Sequence, residues 1–309
     1  MKEYTFSRTL TAPLSSGEIL AARSGKLVTV GLAVAAIIGA WLAGPDALAQ
    51  STSLNSGSLG AAGNATNSPG VVISSPGPSG IATDMAAFYS GGSTIAPVNT
   101  TLSFNPALNP AADQPFTIEF WANPTLDITD GSGPAPVFNR VSSGDRSGWV
   151  FFQRSATEGW NFVMYSGNGS EIGFHLTGGT YTPGLWTHVV AVWDGTTPSL
   201  FVNGVNTNGT VGGSGSYNAS TSATFSIGGY DTGANPFTGG VDETAFYQTP
   251  LNSTQILAHY NAISNPETYG ELVAADGAVE YLRNIPEPTA FMMLGVATCF
   301  FAARRRRSA

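Results

Sequence analysis

Gly184-Leu185-Trp186-Thr187-His188-Val189-Val190-Ala191-Val192-Trp193-Asp194-Gly195 is the run that decides the fold. Both of its alternating sets are apolar, as expected of a central strand covered on its two faces. Asp194-Gly195 ends it with a turn, Leu200-Phe201-Val202 starts the next strand, and Asn203-Gly204 is the dipeptide favoured in a type I′ hairpin. Upstream, Phe116, Ile118 and Phe120 alternate with Thr117, Glu119 and Trp121. Trp149 to Phe152 and Asn161 to Tyr165 read as further strands, and Gly167-Asn168-Gly169 supplies a turn before Ile172 to Leu176. Downstream, Phe225 to Gly228 and Gly240 to Tyr247 provide two more. The period then shifts: Asn252 with Gln255 three residues later predicts a capped short helix with Ile256, Leu257 and Tyr260 on one face. The pattern is an all-β sandwich of two antiparallel sheets with a short C-terminal helix. No repeat of fixed period supports a propeller or solenoid.

Composition agrees. The 309 residues include 38 Gly and 19 Pro and only 10% charged residues, which suits short strands joined by many turns. Between Gln50 and Asn284 there is no lysine, and four arginines (Arg140, Arg146, Arg154 and Arg283) face sixteen acidic residues, a local charge of −12. A chain so poor in cations lacks the basic patch that phosphate-backbone binding needs, so nucleic acid is excluded as a partner. The single cysteine, Cys299, excludes a disulfide framework.

The two ends read as addresses. Residues 27–44 are apolar, follow Arg23 and Lys26, and precede Ala47-Leu48-Ala49 before Gln50, the order of a secretory signal peptide over residues 1–49 cleaved after Ala49. A retained membrane helix is the alternative, since 18 residues just span a bilayer. Residues 50–70 read as a flexible linker. At the other end, residues 264–284 read as a second linker, Pro286-Glu287-Pro288 precedes an apolar segment over 289–303, and Arg304, Arg305, Arg306 and Arg307 follow. The arginines hold that end on the cytoplasmic side. Residues 285–309 resemble the PEP-CTERM sorting signal of exopolysaccharide-producing Gram-negative bacteria. The resemblance implies a transmembrane helix, recognition of the Pro-Glu-Pro segment by an exosortase-type processing enzyme, and delivery to the cell surface or extracellular matrix.

Trp186 to Val192, Leu200 to Gly204, Phe225 to Gly229, and Phe237-Thr238-Gly239-Gly240-Val241-Asp242-Glu243 with Tyr247, Leu251, Gln255-Ile256 and His259-Tyr260 resemble a laminin G-like, concanavalin A-like jelly-roll domain over residues 71–263. The resemblance implies ligands met on a concave face or at the loops of one edge. It also implies calcium as a possible cofactor, with Asp231 and Asp242 as candidate ligands among oxygen donors that calcium prefers.

Catalysis lacks a visible constellation. Glycoside hydrolysis needs two facing carboxylates, whereas Glu119 stands alone and the adjacent Asp242 and Glu243 are expected on opposite faces of a strand. His175, His188 and His259 lie one to a segment, and His188 reads as a core residue. Sugar binding calls for exposed aromatic rings, and Trp160 and Tyr230, beside turns, are the candidates. The expectation is a non-enzymatic protein binding extracellular polysaccharide, neutral glycans above all, or a surface protein, in a biofilm setting. A hydrolase or lyase on the same scaffold, or a purely structural matrix protein, is the alternative.

Overall fold

The computed structural model describes residues 52–284 except residues 142, 208, 210 and 211. The expected leader with Ala47, Ala49 and Gln50, and the expected sorting signal from Pro286 to Arg307, lie outside the described residues. The strands are β1 (Thr52–Ser53), β2 (Ala65–Asn67), β3 (Val72–Ser74), β4 (Ala86–Ser90), β5 (Thr100–Leu102), β6 (Phe116–Pro124), β7 (Val137–Arg140) and β8 (Gly148–Gln153). They continue as β9 (Trp160–Tyr165), β10 (Ile172–Gly178), β11 (Thr187–Trp193), β12 (Pro198–Val202), β13 (Val205–Asn206), β14 (Phe225–Ile227), β15 (Thr238–Tyr247) and β16 (Ala278–Leu282). Two helices, α1 (Ser253–Ala262) and α2 (Pro266–Ala275), precede β16.

The strands make two antiparallel sheets, as the alternation implied. The first runs β1-β2-β5-β14-β7-β8-β9-β10, and the second β13-β12-β11-β6-β15-β4-β3, with β16 also paired to β15. Phe116, Ile118 and Phe120 of β6 and Val189, Ala191 and Trp193 of β11 pack against Trp149, Phe151 and Phe162 of the first sheet. The other face of the second sheet presents Trp121, Val190, Val192 and Tyr247 to Ile256 of α1 and to Tyr269 and Val273 of α2. This two-sided cover is why both alternating sets of β11 are apolar. Asn203 and Gly204 both have positive φ, 51° and 76°, as a type I′ turn requires. Asn252 caps α1 in a full capping box with Gln255.

Both expected linkers belong to the fold. Residues 52–70 contain β1, β2 and a 3-10 turn, with Thr66 in register with Thr101 of β5. Their Ser/Gly/Asn composition hid them because each strand is only two or three residues long. Residues 264–284 carry α2 and β16, so the described fold closes with two helices and a strand rather than with one helix. Asn265 caps α2 and Pro266 occupies its first turn.

The helices are tied to the sheet by one buried anion. The Glu119 carboxylate, fully buried on β6, is hydrogen-bonded to His188 Nε2 (3.0 Å), His259 Nδ1 (2.8 Å), Tyr247 Oη (3.0 Å) and Tyr269 Oη. His259 Nε2 lies 3.0 Å from Asp276 Oδ2. With carboxylate oxygens at both ring nitrogens, His259 must donate from both and is held as the imidazolium. Burial alone would lower its pKa, but Glu119 and Asp276 raise it. Burial likewise pushes Glu119 up, and the charge and hydrogen bonds of His259 and His188 overcome this and hold it well below the usual carboxylate range.

Replacing Glu119→Gln leaves the His259 imidazolium without its buried counter-charge and should cost about 3–5 kcal/mol of stability in denaturant titration. A protein spanning residues 52–284 should unfold in one cooperative transition. One spanning 71–263 should melt lower or aggregate, because it leaves the edges of β5 and β15 unpaired.

Candidate functional site

Strand β15 changes neighbours halfway. Residues 238–241 pair with β4 and residues 244–247 with β16, while the ladder to β6 breaks register between Asp242 and Ala245. Glu243 takes φ of 51° in this bulge, a conformation that costs a non-glycine residue roughly 1–3 kcal/mol. The bulge defeats simple alternation. Asp242 and Glu243, expected on opposite faces, instead converge with Asp84 so that one oxygen of each lies within 4.8 Å of the others.

All three are buried. Asp84 Oδ2 accepts from Ser79 N–H (2.9 Å), Asp242 Oδ1 accepts from Asn284 Nδ2 (3.1 Å), and Glu243 Oε2 accepts from the Tyr281 hydroxyl. Arg283 Nε lies 3.5 Å from Glu243 Oε1. Asp242 Oδ2 has no hydrogen-bond partner among the described residues. Burial, with the charges of Glu243 and Asp84 added, pushes the Asp242 carboxyl well up. Burial pushes Glu243 up to about 8 against the Tyr281 bond and the Arg283 charge. Gly77 forms the wall: a Cβ there would lie 2.6 Å from Asp84 Oδ2 and 3.0 Å from Asp242 Oδ2. Three crowded carboxylates, an orphaned oxygen and a glycine wall fit a hard divalent cation, for which Asp84, Asp242 and Glu243 would be the ligands. No sugar reaches carboxylates so deeply buried, so they do not form a cleft acid–base pair.

The outer side of the first sheet carries a different feature. Thr66 of β2 and Thr101 of β5 face each other there, while their neighbours Asn67 and Thr100 turn inward and bond one another (2.7 Å). With Asn64, Asn99, Ser103, Thr224 and Asp231 they line a groove of about 350 Å³. Asn99 Nδ2 donates to the Tyr230 carbonyl (2.8 Å), which fixes the rim.

The sequence candidates fall as follows. Trp160 and Tyr230, expected to be exposed, are 0% and 3% exposed. Trp160 opens β9 and points into the core between the sheets, where it packs on Phe120 and Tyr181, and Tyr230 packs on Phe138 over the outer face of the first sheet. Asp231 is exposed at the groove and is not part of the carboxylate cluster that contains Asp242. Asp84 was missed: its only local signal is the Gly/Pro-rich turn over residues 76–80 that precedes it.

Residues 97–257, about half of the chain, match the family described as the concanavalin A-like lectin/glucanases superfamily. The chain belongs to that family. Among solved structures, the binding domain of paraclostridial mosquitocidal protein 1 superposes with a TM-score of 0.52 at 17% identity, covering 70% of this chain and 52% of that one. The binding domain of botulinum neurotoxin serotype G gives 0.50 at 12% identity, covering 69% and 50%. The protein thus spans about half the length of either, and at such identity the likeness is one of fold. No curated protein matches the sequence.

Calcium should raise the unfolding temperature, more so at about pH 9 than at about pH 6, because binding must displace protons from carboxyls whose pKa is raised. Asp242→Asn should abolish the shift, and Gly77→Ala should weaken it. Without cation the sign reverses. Glu243, and Glu280 buried without hydrogen-bond partners among the described residues, titrate near 8 when folded against an ordinary 4.5. Between those values the folded state holds more protons, so stability should fall as pH rises through that window.

Proposed function

We propose that the protein is an exported, surface-sorted carbohydrate-binding protein without catalytic turnover, its jelly roll supported by calcium at Asp84, Asp242 and Glu243. The observation that carries the binding reading is the groove of about 350 Å³ on the first sheet. Its size lies in the range of small-ligand sites, about 300–1,000 Å³. Its lining of threonine and serine hydroxyls and asparagine amides offers donors and acceptors to sugar hydroxyls, where an apolar slot would select an apolar ligand. Family membership supports the same reading. The groove contains no titratable pair; Asp231 is its one carboxylate.

Export and sorting rest on the ends of the sequence. The basic, apolar and small-residue order up to Ala49 supports a cleaved leader, and Pro286-Glu287-Pro288, the apolar segment over 289–303 and the four arginines support recognition by an exosortase-type enzyme at the membrane. Among the described residues no helix is long and apolar enough to cross a membrane; the apolar order of residues 289–303 before the arginines is what supports anchoring there. An exopolysaccharide matrix at the cell surface is the setting in which a sorted glycan binder has its ligand, and a surface protein is the other partner class.

On a glycan array the full-length protein should bind with no release of reducing ends. Thr66→Val and Thr101→Val should each weaken binding by about 1 kcal/mol, the net value of one hydrogen bond. An array blank with and without calcium would sink the reading. Sugar release that persists on purification would replace it with a hydrolase or lyase.

A further inference from the structure

Two of the four arginines between Gln50 and Asn284 converge where no carboxylate answers them. Arg140, at the end of β7, is 6% exposed. Its Nε and Nη2 donate to the Tyr230 hydroxyl and its Nη1 to the Val141 carbonyl (3.0 Å). Its guanidinium lies 5.1 Å from the centre of the Tyr165 ring and 4.5 Å from that of Tyr230. Arg146, in the next loop and partly exposed, lies 5.8 Å from the same Tyr165 ring. Neither arginine has an ion-pair partner among the described residues, whereas Arg154 lies near Glu158 and Arg283 near Glu243.

Buried arginine is almost always paired, because taking its charge out of water is costly. Aromatic faces soften that cost without supplying a counter-charge. In a domain of charge −12 there is no shortage of anions, yet none forms an ion pair with Arg140 or Arg146 among the described residues. Asp145 Oδ1 accepts from Gly169 N–H (2.9 Å), and Glu171 Oε2 accepts from the Ser166 hydroxyl (2.6 Å). Donors are also left over. A guanidinium has five N–H groups, of which Arg140 uses three. The Tyr230 hydroxyl already accepts from Arg140, and its own proton has no acceptor among the described residues.

From this convergence of unanswered donors, we propose that the partly exposed Arg146, backed by the buried Arg140 and Tyr230, forms an anion subsite that takes the carboxylate of a uronic acid residue. The buried Arg140 supplies a fixed, poorly screened charge, and the more accessible Arg146 makes the contact. Tyr230 joins this subsite to the groove: its carbonyl accepts from Asn99 at the groove rim and Asp231 follows it in the chain, while its hydroxyl reaches Arg140. On this proposal a glycan seated along the threonines extends past Tyr230 toward the arginines. The inference rests on the glycan-binding reading and narrows it. The overall negative charge disfavours a polymer charged at every sugar, so the fitting ligand is one mostly neutral along its repeat with an isolated carboxylate.

The test compares methyl glucuronide with methyl glucoside by calorimetry on the full-length protein. The glucuronide should bind roughly 10- to 100-fold more tightly, the value of a hydrogen bond to a charged group, and rising salt should erode the difference. Arg146→Gln should remove the preference, Arg146→Lys should restore part of it, and Arg154→Gln should leave it intact. Arg146 is only partly buried, so its replacement keeps the fold even if Arg140→Met does not. Equal affinity for the two sugars overturns the subsite and leaves the glycan reading standing. A preference that survives Arg146→Gln overturns the assignment to these residues. Failure of both sugars to bind removes the subsite and the glycan reading together.

Discussion

The structure depends on the compensation of one charge, the Glu119 carboxylate, which is fully buried in the second sheet. An anion in that position is tolerable only if its oxygens are saturated by donors and a cation stands nearby. Its partners come from four elements: His188 on β11, Tyr247 on β15, His259 on α1 and Tyr269 on α2. Satisfying the anion therefore fixes where both helices sit on the sheet. Apolar contact between Trp121, Val190, Tyr247 and the helix residues Ile256 and Val273 gives the area, but burial is not directional. The hydrogen bonds supply the register that burial lacks.

That placement sets up the carboxylate cluster. With α2 docked, the chain returns as β16 alongside the second half of β15, and its end brings Tyr281, Arg283 and Asn284 to Glu243 and Asp242. On the other side, β4 pairs only with the first half of β15, and the turn before it delivers Asp84 and Gly77. The bulge between Asp242 and Ala245 marks the seam where one neighbour gives way to the other. Acidic groups forced together at a seam are unfavourable by themselves, and burial first, with neighbouring carboxylates added, pushes both Asp242 and Glu243 up. A divalent cation would turn the same crowding into a clamp between the turn before β4, which carries Asp84, and the bulge of β15, which carries Asp242 and Glu243.

Much of this was legible in the sequence, and the boundary is physical. The two-sided apolar run of β11, the Asn203-Gly204 turn and the capping box of α1 are local patterns, and each is realised. Residues 52–70 were not legible because strands of two or three residues carry no measurable period. Residues 264–284 carried a signal that composition obscured: Asn265-Pro266 as a helix start, with Tyr269 and Val273 four residues apart on the buried side. Glu119 was visible only as a carboxylate among apolar neighbours, since its partners lie between 69 and 150 residues away in the chain. For Asp242 and Glu243 the alternation rule failed because it assumes an unbroken strand, and the positive φ of Glu243 breaks it. Trp160 and Tyr230 failed for a related reason: nearness to a turn does not set which way a ring points, and Trp160 opens β9 facing the core while Tyr230 packs on Phe138.

The burial of those aromatic rings changes what kind of glycan surface this is. Rings that stack on sugars must be open, and Trp121, Trp149, Trp160, Tyr165, Trp193 and Tyr230 are all buried. The first sheet instead offers hydroxyls and amides on strands β2 and β5, whose positions the ladder holds at a spacing of about 4.8 Å. Individual hydrogen bonds to neutral hydroxyls contribute little net affinity in water, so a polar groove of this kind binds weakly unless something else anchors the ligand. The one concentration of positive charge on the same sheet is where Arg140 and Arg146 meet Tyr165 and Tyr230. Its scarcity gives it meaning: against sixteen carboxylates, a cationic pair left unneutralised is, among the described residues, a local feature that favours an anion over the repulsion of the whole domain. On the proposed reading, hydroxyl recognition along the groove and a single charge contact at its end are complementary, the first setting shape and the second supplying affinity.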